Sequence, residues 1–163
     1  VELEQALVRL ERTVGLWYVD RRTAFDVVLA ACDALVAGAD GPGMSMVAAL
    51  DRAEAHDGLP ELLPTALREV GLPSCDRGSI AAEETALRIV AAAALTGEVT
   101  PRDLTTWVHQ RHGHFLKLAE ELARLDDAYE YTEFTAQTRE EIDADVLAEA
   151  RRIIGSGPGG CTG

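Results

Sequence analysis

Sulfur is scarce in this chain: Cys32, Cys75 and Cys161 are its three cysteines. An odd number at wide spacing, with no C-x-x-C pair, argues against a disulfide framework or a zinc knuckle. They read as reduced thiols, which points to the cytoplasm. Long apolar runs are lacking too. The longest aliphatic stretch, Ile89 to Leu95, falls far short of the roughly 20 residues a membrane span needs. The opening Val1-Glu-Leu-Glu carries no apolar leader core, so neither a membrane nor secretion is expected. Basic clusters are missing as well: the net charge is -13, and phosphate backbones are bound by clustered Lys and Arg. Nucleic acid is therefore not an expected partner. There is no Gly-x-Ser-x-Gly elbow, P-loop, dinucleotide fingerprint or His-Glu-x-x-His motif. Their absence lowers the enzyme reading without excluding it, and no cofactor is expected.

What is present is helical. The 163 residues are 47% hydrophobic, enough for a chain of this size to bury about two thirds of its unfolded surface. Leu3, Leu7, Leu10, Val14 and Trp17 recur in steps of four and three, one face of a first helix. Thr23 is placed to cap a second, whose stripe is Phe25, Val28, Leu29, Cys32, Leu35 and Val36 and which stops at Gly38. A third is expected over about Met44 to Ala55, with His56-Asp-Gly58 as a turn, and a fourth opens at Leu59-Pro60. Ser79 caps a long alanine-rich helix, Ile80 to Leu95. Thr100-Pro-Arg-Asp103 starts the next, and Thr138-Arg-Glu-Glu141 starts the last, whose buried face is Ile142, Val146, Ala150 and Ile153. From Leu104 the apolar steps continue through Val108, Phe115, Leu118, Leu122 and Leu125, so one helix is expected to pass through Gly113.

The expected fold is all-α, a single bundle of about seven or eight helices over residues 1–154, followed by a flexible Gly-rich tail, 155–163. Leu35 to Pro42 and Ala94 to Pro101 carry Gly and Pro at the same offsets, which suggests two related helix-loop-helix units or simply shared loop chemistry.

Two clusters invite chemistry. His109, His112 and Asp103 form a candidate metal set, the site of a small metal-binding protein or hydrolase as the alternative function, because imidazoles at i and i+3 share a helix face. On an unbroken helix His114 points some 140° or more from either ring, at about 100° per residue, and cannot join them. Acidic residues concentrate between Asp126 and Glu149, nine against the single base Arg139, a local net charge of -8. Asp126, Asp127, Glu130, Tyr131, Glu133, Glu140, Glu141 and Asp145 make up the expected interaction surface for a basic protein partner. A self-pairing helical subunit is the structural alternative.

Ala94-Leu-Thr-Gly-Glu-Val-Thr-Pro-Arg-Asp-Leu-Thr-Thr-Trp107 resembles small bacterial helical proteins of the colicin-D-immunity type. The composition, rich in Ala, Arg, Asp and Val, also resembles that of uncharacterised actinobacterial helical proteins. The first resemblance implies an acidic helical protein that covers the active site of a basic nuclease. The Trp107-Val-His-Gln-Arg-His-Gly-His114 extension departs from that pattern.

Overall fold

Side-chain caps set most of the helix starts. In the computed structural model, which describes residues 2–157, Thr23, Asp51 and Thr138 each accept a hydrogen bond from the amide three residues on, and the acid at that position accepts one from the cap's own amide. These reciprocal boxes satisfy amides that a helix N-terminus leaves without partners. Eight α-helices and no strand are found among the described residues: α1 Glu2–Trp17, α2 Ala24–Val36, α3 Pro42–Ala48, α4 Arg52–Glu69, α5 Ile80–Leu95, α6 Pro101–His112, α7 Glu120–Glu130 and α8 Arg139–Gly155. None of them is long and apolar enough to cross a membrane. The chain divides into two compact units, one running to Ala86 and the other from Leu87.

In the first unit α1 packs on α2, and α2, α3 and α4 pack on one another. The core joins Leu10, Val14 and Trp17 to Val27, Val28, Met44, Val47, Leu59, Leu63 and Leu67. The buried face of α2 is Ala24, Val27, Val28, Ala31 and Ala34, rotated from the stripe its bulky residues suggest. Leu29 and Val36 are exposed and Cys32 is half-buried. Alanines on the inner face let neighbouring helices approach closely, so small side chains carry the packing there.

The boundary between α3 and α4 also differs from the sequence pattern. The third helix stops at Ala48, and Asp51 opens α4, which runs through His56-Asp-Gly58 without a turn. A Cβ at Gly58 would lie 2.9 Å from Leu50 Cδ2, the movable end of a half-buried side chain. Pro60 and Pro64 lie inside α4. Pro60 and His56, whose carbonyl loses its amide partner, are both exposed, so water can serve that oxygen. The Glu69 carboxylate closes the α3 N-terminus, accepting from Gly43 N at 2.9 Å and Met44 N at 3.1 Å.

Helix ends repeat one device. Gly38, Gly71 and Gly97 adopt positive φ, and so does Asp20. The next amide then bonds back five residues, as Ala39 N does to Ala34 O and Glu98 N to Ala93 O, both at 2.9 Å. Gly38 with Pro42 and Gly97 with Pro101 each pair a helix stop with a proline in the first turn of the next helix.

In the second unit α6, α7 and α8 pack pairwise, burying Leu104, Val108, Leu122, Leu125, Ile142, Val146, Ala150 and Ile153. Short 3₁₀ turns at Lys117–Ala119 and Thr132–Phe134 flank α7. The last helix extends through Gly155, and the Ser156 hydroxyl donates to Ile153 O at 2.6 Å. The remainder of the expected tail, 158–163, lies outside the described residues.

The reading of all three cysteines as reduced thiols is corrected at one position. Cys32 is free, whereas Cys75 is disulfide-bonded; Cys161 lies outside the described residues.

Thr138→Ala should cost about 1 kcal/mol and Ile153→Ala about 2–5 kcal/mol, measured by urea unfolding followed by helical circular dichroism. Equal, near-zero effects would mean that α8 contributes little to the fold.

Candidate functional site

The second unit is organised around one carboxylate. Arg102, Thr105, Thr106 and His109 fall at i, i+3, i+4 and i+7 and so share a face of α6, and Asp126 of α7 meets that face. Its Oδ1 accepts from Arg102 Nη1 at 2.6 Å, Thr105 Oγ1 at 3.0 Å and Thr106 Oγ1 at 3.3 Å. Its Oδ2 lies 2.8 Å from His109 Nδ1. The Asp126 side chain keeps only 12% of its surface in contact with water, so these donors replace a hydration shell it would otherwise lose at a cost of several kcal/mol.

The network reaches all three helices. Arg102 Nη2 donates to Glu130 Oε1 at 2.7 Å, and the guanidinium stands 4.7 Å from the centre of the Tyr129 ring. The Tyr129 hydroxyl donates to Asp143 of α8. Burial, reinforced by the Asp143 carboxylate, pushes the Tyr129 phenol well above its usual pKa. Asp126 is thus an interior anchor, which corrects its place in the expected surface patch. Glu133, Glu140, Glu141 and Asp145 do lie at the surface. Tyr131 is 58% exposed and Phe134 80%, while Glu130 is tied to Arg102.

The helix expected to run through Gly113 is broken there. The sixth helix ends at His112, and Gly113 takes φ 55°, ψ -126°. Phe115, a member of the expected apolar stripe, is 98% exposed. Breaking the helix frees His114 from the direction an unbroken helix would impose and returns it toward α6: its ring lies 5.2 Å from that of His109, edge to face. His114 Nδ1 is 3.1 Å from Glu120 Oε1, and His114 Nε2 is 3.4 Å from Asp127 Oδ2. Asp127 Oδ1 is 3.7 Å from His109 Nδ1.

The structure therefore gathers His109, His114 and Asp127, with one ligating atom from each lying within 4.8 Å of the others. His112 sits edge-on to Trp107, ring centres 5.9 Å apart, and Asp103 is an exposed residue of the first turn of α6, its amide donating to the Thr100 hydroxyl at 3.1 Å. Of the metal set expected from helical spacing, only His109 belongs to this group. The α6 polar stripe was a usable signal in the sequence, since four hydrogen-bonding residues on one helix face call for a polar partner. Nothing local in the sequence marked Asp126 over Asp127 as that partner.

No family model matches the chain, and no match is found among curated proteins or solved structures.

Asp126→Ala should cost about 3 kcal/mol, the lower end for breaking a buried pair, because Arg102 stays 30% exposed and keeps Glu130. Arg102→Leu combined with Asp126→Ala should cost less than the two single losses added together. Additive losses in that unfolding cycle would show that the two side chains do not act as a unit.

Proposed function

We propose that the protein is a non-enzymatic acidic module that docks on a basic protein, in the manner of an immunity protein covering a nuclease. The supporting observation is the pair of exposed aromatic residues, Tyr131 and Phe134, within the segment of net charge -8 between Asp126 and Glu149. An aromatic side chain left in water forfeits about 1.5–3 kcal/mol of burial, and aromatics ringed by polar groups are the usual anchors of interfaces. Glu133, Glu140, Glu141 and Asp145 surround them in sequence with carboxylates at the surface. Asp127 is half-buried at the edge of the patch. The excess of negative charge would steer a basic surface toward these anchors and discriminate against acidic proteins.

The test is binding to a basic protein of the same host, first identified as a partner by co-purification and then purified. Phe134→Ala should raise the dissociation rate at least tenfold, and Glu133→Lys with Glu140→Lys should slow association and flatten its salt dependence. A basic partner whose binding ignores both sets of changes, or the absence of any such partner at low and high salt alike, would contradict the proposal.

A further inference from the structure

We infer that His109, His114 and Asp127 form a binding site for one divalent transition metal ion of the zinc class. The inference does not rest on the docking surface.

Three features carry it. The first is donor type: two imidazoles and a carboxylate are ligands that zinc and its first-row neighbours favour, whereas calcium and magnesium prefer oxygen alone. The second is the support behind each ring. His109 Nδ1 is 2.8 Å from the Asp126 carboxylate and His114 Nδ1 is 3.1 Å from that of Glu120. With the proton of each neutral ring held at Nδ1, both Nε2 lone pairs are left to ligate, the carboxylate–histidine–metal arrangement that fixes tautomer and raises ligand basicity. Asp126 is itself immobilised by Arg102, Thr105 and Thr106, so the support for His109 is rigid.

The third is spacing. Two ligands each about 2 Å from a tetrahedral ion stand about 3.3 Å apart, and His114 Nε2 and Asp127 Oδ2 are 3.4 Å apart. A ligating atom of His109 lies within 4.8 Å of those of the other two, and an ion drawing the three together would complete the set. Three protein ligands leave a fourth position open to water, on the side where His114 is exposed. The ion would tie the end of α6 and the 113–119 connection to α7. If the same side chains are only histidine–carboxylate ion pairs, no metal is taken up.

The test uses the full chain, purified without a polyhistidine tag and stripped with chelator. Zn²⁺ titrated by calorimetry should bind with one-to-one stoichiometry, and Co²⁺ should give visible absorption of a low-symmetry site, displaced by Zn²⁺. His114→Ala and Asp127→Asn, both outside the buried core, should abolish the Co²⁺ spectrum with the fold intact by circular dichroism. Asp126→Asn should weaken Zn²⁺ binding by about 10–100-fold. His112→Ala and Asp103→Asn should leave it unchanged. No Co²⁺ absorption at tenfold excess, or Zn²⁺ binding that survives His114→Ala undiminished, would overturn the inference.

Discussion

A single desolvated carboxylate, Asp126, governs the second unit. An ionised acid with 12% of its surface in water is tolerable only where fixed donors surround it, and α6 supplies four from one face. That requirement fixes the rotation of α6 against α7 more tightly than hydrophobic burial can, since Leu, Val and Ala side chains accept several packings at similar energy. Arg102 extends the constraint through Glu130 and the Tyr129 ring, and Tyr129 extends it to Asp143 on α8. What looks like part of a surface charge cluster is the polar pin of a helical core.

The pin has a consequence at the surface. Asp126 holds one ring of His109 in place, and its chain neighbour Asp127 projects half-buried toward His109 and His114. Gly113 completes the arrangement by ending α6 at His112 with a positive-φ backbone, a conformation costly to residues with a Cβ. A continuous helix would have carried His114 away from His109. Order in the core and the position of the histidines thus have a common origin in two local choices, a buried acid and a helix stop.

Much of the fold was legible because helix termini follow short-range chemistry. Thr23, Thr100 and Thr138 act as N-caps, and the inner face of α8 follows its 3.6-residue period residue for residue. The failures arise where tertiary contacts overrule a local signal. His56-Asp-Gly58 has the composition of a turn, yet the helix capped by Asp51 runs straight through it. The inner face of α2 is set by alanines, so its bulkier residues mislead. Gly113 is tolerated in a helix and equally suited to ending one, and local sequence does not choose between these. The site was half legible for the same reason: spacing within α6 identifies His109, whereas His114 and Asp127 join it only through a chain reversal.

The most direct measurement of this account is the tautomeric state of His109, read from ¹⁵N chemical shifts of its ring at alkaline pH. Anchoring by Asp126 predicts the proton on Nδ1 and a bare Nε2, lost as a single form when Asp126 is replaced by Ala. A ring protonated on Nε2, or one averaging freely between the two forms in the intact protein, would contradict the claim that the buried carboxylate organises the site.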